Sequence, residues 1–295
     1  MKQAFLIMAH ADKDLLQVLV GMLDDVRNDI YLHIDAKWKD FSPSALSVAN
    51  AKLYILPERI DGRWGHSSLM DIEYALFRAA YGRGGYAYSH LLSGADLPIK
   101  SQDYIHNFFA NAGGQPYIAY WPHSGDVYFK VSRYSFWMEY EKMPDKYRLV
   151  SRVVAIARRW LGEAIYKVFG ERADSDKFLK GSNWCSLPPE CVSLILTREA
   201  EMTKRLRYTR SGEEIFVQTV LYREYFAPRG IDVSTLQDMR YINWRSSVHS
   251  PDVFTREDWP AIQASPALFA RKFGTTVDRE IISLVQAHYG SKTEE

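Results

Sequence analysis

The chain has 295 residues, 47% of them hydrophobic and 25% charged, enough to build one large α/β domain around a sizeable core. Its formal net charge of +1 removes the electrostatic case for general nucleic-acid binding. Two cysteines, Cys185 and Cys191, exclude a disulfide framework or a cysteine metal site and suit a reducing compartment.

The opening "MKQAFLIMAHADKD" reaches His10 and Asp12 too soon for a signal peptide or a membrane span, so Ala4–Ala9 reads as a buried first strand. A helical pattern follows through "DLLQVLVGMLDDV". Asp29–Asp35 and Ala51–Leu56 are short β-rich runs, the second closed by Pro57. "SSLMDIEYALFRAAYG" carries helical periodicity, with a capping box expected from Ser68 and Asp71 and a stop at Gly82. Tyr86–Gly94 is the next strand. Strands alternating with helices predict an α/β fold with a mostly parallel central sheet flanked by helices. Ligands in such sheets bind beyond the carboxyl ends of the strands, where His10, Asp35 and the Ser93–Asp96 stretch fall. Each of these taken singly is equally an ordinary loop polar group.

The middle of the chain, from Tyr117 to Gly181, is less regular. Tyr147–Gly170 reads as a long helix with a wide apolar face (Leu149, Val153, Ile156, Trp160, Leu161, Phe169) and five cations: Arg148, Arg152, Arg158, Arg159 and Lys167. Two readings stand: a helix packed on the core, or a basic amphipathic helix in peripheral contact with a membrane. The last third offers helical stretches at Glu190–Leu206 and Glu213–Tyr225, a strand-like "MRYINW", and "SPALFARKFG". In that last run Arg271 and Lys272 sit among Leu268, Phe269 and Phe273. A buried unpaired charge is costly, so these cations must reach water along their stems or meet an anion. Aromatic residues, at 14%, suit either sugar rings or a large core.

Four stretches in this order and spacing carry a resemblance: "YLHIDAK"; "WGHSSLMDIEYALFRAAY" leading into "HLLSGADLPIKS"; "KGSNWCSLPPECVSLIL"; and "SGEEIFVQTVL" followed by "RYINW" and "LFARKFG". Together they resemble the core-2/I-branching β-1,6-N-acetylglucosaminyltransferase family, glycosyltransferase family 14, which also contains the peptide O-xylosyltransferases. The resemblance runs from about Ala4 to Asp278 and is weakest over Asp126–Lys177. It implies a GT-A-like fold over residues 1–295 as a single glycosyltransferase domain. The half up to about residue 120 would bind the nucleotide sugar, and the remainder would bind acceptor and carry out catalysis.

The implied activity is inverting transfer from a UDP-sugar to a glycan or lipid-linked glycan, with N-acetylglucosamine as the leading donor sugar. The same mechanism with UDP-xylose, UDP-galactose or UDP-glucose, or a non-catalytic glycan-binding module, remain the alternatives. The resemblance implies that no metal or other cofactor is needed, and "HID" and "GAD" agree with it, each supplying one Asp and neither forming an Asp-x-Asp pair. The resemblance makes Glu214, closing "SGEE", the general base, against a plain helix-start role for Glu213 and Glu214. Gly212 stands where the family has Pro, which would loosen that loop. Lys272, aided by Arg271, would neutralise the diphosphate, and the second basic position falls on His249, with Arg245 nearby. His10 and Asp35 would lie near the uridine and Asp96 near the ribose or phosphates. Trp64 either contacts the nucleotide or anchors the following helix. Ser182, Asn183, Trp184, Tyr241 and Trp244 would line the acceptor pocket, with core packing the alternative for the aromatic ones. Lacking an anchor and the cysteine network of secretory animal enzymes, the chain is expected to be a bacterial relative, cytoplasmic or peripheral on the inner face of the membrane.

Overall fold

The computed structural model describes residues 1–121, 126–140, 147–172, 174–245 and 250–290. Its first half follows the predicted rhythm: β1 (Lys2–Ala9), α1 (Lys13–Met22), β2 (Asn28–Ile34), β3 (Lys52–Ile55), α2 (Ser68–Arg83), β4 (Tyr86–Ser93), β5 (Asp96–Pro98) and α3 (Gln102–Ala110). Beyond these come α4 (Asp126–Ser132), α5 (Arg148–Phe169), β6 (Ser186–Leu187), α6 (Pro189–Thr197), α7 (Glu199–Leu206) and α8 (Phe216–Leu221). The last elements are β7 (Arg240–Ile242), α9 (Trp259–Ala264), β8 (Phe269–Arg271) and α10 (Arg279–Tyr289).

The main sheet has the order β3-β2-β1-β4-β6, parallel except for β6, which pairs antiparallel with β4. Side chains alternate across it. Phe5 and Ile7 join one core with Leu16, Phe109 and Val285, while Ala4 and Leu6 join another with Phe77, Cys191 and Phe216. Burial on both faces is why β1 and β2 read as nearly continuous apolar runs. The architecture is thus the α/β fold with a mostly parallel sheet flanked by helices that the sequence predicts.

A second, three-stranded sheet, β5-β8-β7, lies at the carboxyl end of β4. The two halves of the chain exchange strands. β6, from the second half, extends the first sheet, and β5, from the first half, pairs with β8. Arg240 on β7 joins the sheets: its guanidinium donates to Ser186 Oγ (2.9 Å) and to the carbonyls of Cys185 (2.8 Å) and Leu91 (3.3 Å).

Local expectations change at four places. The α2 cap is Ser67, without a side-chain capping bond, because the Ser68 hydroxyl accepts from Arg63 N (3.0 Å). That helix runs past Gly82 to Arg83 and ends at Gly84, whose φ of 70° suits a glycine. Glu190–Leu206 is two helices, α6 and α7, meeting at Arg198. Glu213–Tyr225 begins as a 3-10 turn, becomes α8, and widens to a π-helical turn over Tyr222–Phe226. Among the described residues, no helix is long and apolar enough to cross a membrane.

Candidate active site

The carboxyl ends of β2, β1 and β4 place Asp35, His10 and Ser93 side by side, as strand order requires. At the β2 end, Asp35 is buried and its carboxylate accepts from Lys37 N (2.8 Å), Lys37 Nζ (2.9 Å) and Gly62 N (3.1 Å). Gly62 has to be glycine for this approach: a Cβ there would lie 2.9 Å from Asp35 Oδ2 and 2.8 Å from Ile72 Cδ1. His33 fastens the same loop by accepting from Ile60 N (2.9 Å) on Nε2. Burial holds the His33 pKa down at about 4, so its ring is neutral at pH 7 and free to accept. His10 reaches solvent beyond β1, yet the protein mass around it lowers its pKa. Lys272, Lys37 and Arg271 push the same way, and Asp35 pushes back. His10 therefore stands between the Asp35 loop and the Arg271–Lys272 pair.

That pair is delivered by β8. Its register sets Arg271 opposite Asp96 on β5, and Phe273 N donates to Ala95 O (2.9 Å). Just past it, Thr275 donates from N and Oγ1 to Asp12 at the start of α1, both at 2.8 Å. Asp96 is 1% exposed and its oxygens accept from Ser93 N (2.8 Å) and Ser93 Oγ (2.7 Å), so it props the turn and faces Arg271 at 3.6 Å. Arg271 does not reach for water. Its side chain is 12% exposed, and its guanidinium lies over the Trp184 ring at 4.2 Å. Two of its nitrogens, Nε and Nη1, are buried and make no hydrogen bond. Burial lowers its pKa below the ordinary arginine value, with Asp96 and Asp238 opposing. Lys272 beside it is half-buried, and its ammonium meets no carboxylate among the described residues.

Trp184 belongs to the "GSNW" stretch, which also reaches the carboxylates. Asn183 Nδ2 donates to Glu73 Oε1 (3.1 Å), on α2. Glu73 is fully buried and its pKa is driven well up, first by burial and then by Glu213 and Glu214 nearby. Glu213, in the 3-10 turn, is 5% exposed, and burial with Glu214's charge pushes its pKa up to about 8. Each of these two has one buried oxygen without a hydrogen-bond partner. Glu214 differs. Its side chain is 30% exposed and faces Lys180 Nζ at 3.3 Å and Lys130 Nζ at 3.8 Å. The dipole-only reading of the turn accounts for neither the lysines around Glu214 nor the burial of Glu213.

The turn itself is held from two sides. Gly181 N donates to Glu214 O (2.9 Å), and Ser211 N donates to Gly65 O (2.9 Å). Trp64 sits under the Arg210 guanidinium at 4.9 Å, so its loop docks on the Glu214 turn. At Gly212 a Cβ would lie 2.5 Å from Met70 Sδ, so the glycine admits α2 to close contact.

A row thus runs from Asp35 and His10 at the strand ends through Lys272, Arg271 and Trp184 to Asn183, whose partner Glu73 feels the charge of Glu214. Ser182 is buried beside them, its carbonyl accepting from Gln218 Nε2 at 2.5 Å. Tyr241 meets that row through the β7–β8 ladder, opposite Ala270 and next to Arg271, but among the described residues no side-chain hydrogen bond or ring contact joins Tyr241 or Trp244 to it. Tyr241 stacks on Phe254 (5.6 Å, 6° between planes), and Trp244 is exposed beyond β7. Arg245 pairs with buried Asp258 at 3.0 Å, while His249 lies outside the described residues. Sequence reasoning missed Glu73, Lys130 and Lys180. The signal for Glu73 was its place between Met70 and Phe77 on the apolar stripe of α2. Among the described residues, no group of three or more His, Cys, Asp or Glu side chains could hold a metal ion.

A family model described as Branch, Core-2/I-Branching enzyme, matches residues 3–268. Xylosyltransferase 2 of Pan troglodytes is 21% identical over 98% of this chain and 34% of its own length, so the chain spans about a third of that relative. Mouse xyloside xylosyltransferase 1, solved in its apo form, superposes with a TM-score of 0.41 at 9% identity, covering 90% of this chain and 96% of its own.

Proposed function

The chain belongs to the Core-2/I-Branching enzyme family of glycosyltransferases, and on that premise we propose that its carboxyl-edge row performs inverting sugar transfer from a UDP-sugar to a hydroxyl of a glycan or lipid-linked glycan. One observation carries the reading. Next to Lys272, Arg271 keeps two buried nitrogens without a hydrogen bond, one of them 3.6 Å from Asp96, while Glu214 stands beyond Asn183 and Trp184 as a part-exposed carboxylate. Unpartnered donors in a buried guanidinium are costly unless an anion completes them, and a diphosphate is such an anion. In the reaction, the acceptor oxygen bonds to the anomeric carbon as the bond from that carbon to the diphosphate oxygen breaks. Glu214 takes the hydroxyl proton, and Arg271 and Lys272 hold the charge that grows on UDP. Asp35 and His10 lie at the far end of the row, where the nucleoside would sit. Asp96 acts through Ser93 and Arg271, and the second clamp position is left to His249.

The donor proposed is UDP-N-acetylglucosamine. UDP-xylose is the second reading, because the relative matched over 98% of the chain is named a xylosyltransferase. Residues up to about 120 supply the nucleotide side and the rest the acceptor side and base. The transfer is proposed to run without a metal ion. The setting proposed is cytoplasmic, where the free, buried thiols of Cys185 and Cys191 stay reduced. Thermal-shift screening against a panel of UDP-sugars, followed by UDP release with acceptor glycans, tests the reading. Stabilisation by UDP and release of UDP from one donor are the expected results. Stabilisation by glycans alone, with no UDP released from any donor, would leave a glycan-binding module instead.

A further inference from the structure

The helix α5 is 22 residues long, and among its described residues Gly162 alone is buried. It rests on the molecule along a narrow line. A Cβ at Gly162 would lie 2.7 Å from Tyr134 O, Glu163 pairs with Arg133 at 2.7 Å, and the Arg133 guanidinium lies over the Tyr166 ring at 4.1 Å. The core-packing reading of this helix does not hold, because its apolar side chains point to solvent. Leu149 is 75% exposed, Val153 58%, Ile156 59% and Trp160 73%. At about 100° per residue these four fall within about 60° of one another, so they form a single stripe. Val150, Leu161 and Val168 widen it. A contiguous apolar stripe of this kind on a soluble surface is the ordinary mark of a face that meets something.

Charge says what it meets. Arg152 and Arg159 fall about 40–60° past Ile156 on one edge of the stripe, and Lys167 lies in its line near the helix end. None of these three meets a carboxylate among the described residues, and the helix's one acid, Glu163, is already paired with Arg133. Two copies packed stripe to stripe would bring these cations together with no acid to offset them. An anionic lipid surface offers both what the stripe lacks and what the arginines lack: a hydrocarbon boundary and a row of phosphates. We propose that α5 lies in the plane of an anionic membrane, with the Leu149–Trp160 stripe at the headgroup–acyl boundary and Arg152 and Arg159 at the level of the phosphates. The stripe shares no residue with the transfer site, so its test reads lipid binding and stands whether or not sugar transfer is found.

The experiment is co-sedimentation of the full chain with vesicles of phosphatidylcholine mixed with phosphatidylglycerol, against phosphatidylcholine alone, at low salt. Binding is expected only to the anionic vesicles. The double change Arg152→Glu/Arg159→Glu should weaken it at least about tenfold, as should high salt. Ile156→Glu/Trp160→Glu should abolish it. All four positions lie on the exposed sides of the helix, so an unchanged thermal midpoint shows that the fold is kept. Failure to bind anionic vesicles, or binding that survives Ile156→Glu/Trp160→Glu, overturns the proposal. So does a dimer seen by light scattering that Ile156→Glu dissolves, since a second copy would then cover the stripe.

Discussion

Replacing Glu214 by Gln separates the proposed base from its neighbour. The amide keeps the size of the carboxylate and most of its hydrogen bonding, but it cannot take a proton. Loss of a positioned base costs a factor on the order of 10² to 10⁴ in turnover, or about 2.7–5.4 kcal/mol of barrier. The fold should barely notice. The contacts of Glu214 with Lys180 at 3.3 Å and Lys130 at 3.8 Å involve a carboxylate 30% exposed, and Asp126 remains 3.0 Å from Lys180 to partner it. Partly solvated pairs of this kind are worth about 1 kcal/mol or less. Glu213 is the internal control. With its pKa pushed up to about 8 by burial and by Glu214, it is mostly a neutral acid at pH 7, and Gln is close to its isostere. At neutral pH, Glu213→Gln should therefore keep turnover within a few-fold while Glu214→Gln loses about a hundredfold or more. Initial rates of UDP release, with donor affinity from calorimetry, decide the matter, because the diphosphate site draws nothing from the Glu214 proton. Equal losses in the two variants, or a Glu214→Gln protein that no longer binds donor, would refute the assignment.

Lys272→Ala should lower turnover to about one-hundredth, the roughly 3 kcal/mol expected for losing one group that stabilises leaving-group charge. Steady-state rates with and without EDTA go with it, and loss of activity in EDTA that manganese restores would displace the clamp. Glu213 also predicts a pH effect on stability. Its folded pKa of about 8 lies above the ordinary 4.5, so the stability it supplies is complete below pH 4.5 and lost as pH rises through 8. Glu213→Gln should gain roughly 2–3 kcal/mol on wild type between about pH 6 and pH 9 in denaturant titrations. Gly62→Ala should destabilise by about 1–3 kcal/mol and weaken UDP binding in calorimetry, because the new methyl must displace Asp35 or Ile72.

What could be read from the chain without coordinates was whatever repeats with a local period. β1 through β4 and α2 announce themselves because both faces of the sheet are buried and apolar residues recur at every turn. The second sheet was hidden for the opposite reason. β5, β7 and β8 have three residues each, and β5 finds its partner β8 more than 170 positions away, so no local signal marks it. The α2 cap slipped by one residue because the Ser68 hydroxyl serves the Arg63 backbone instead. In the candidate site, motif resemblance proposed Glu214, Arg271 and Lys272. That Asp96 props a turn could not be read, since it depends on Ser93 and on β-register. Glu73 looked like one more polar residue of an amphipathic helix, and only packing against the Glu213 turn makes it a buried acid.

The exchange of strands between the halves bears on how such a molecule can be taken apart. A fragment ending near residue 120 would leave the outer edge of β4 without β6, and β5 without β8. Both are open edges of the kind that recruit other chains. The bond that Arg240 makes to the Leu91 carbonyl (3.3 Å) crosses the same cut, and that carbonyl would lose its donor. The two halves are therefore not interchangeable cassettes. A chimera that swaps the first half for that of a relative must carry the matching β6 and β8 with it. The strand lattice is thus locked as one piece, and only segments outside it can be exchanged without breaking a ladder.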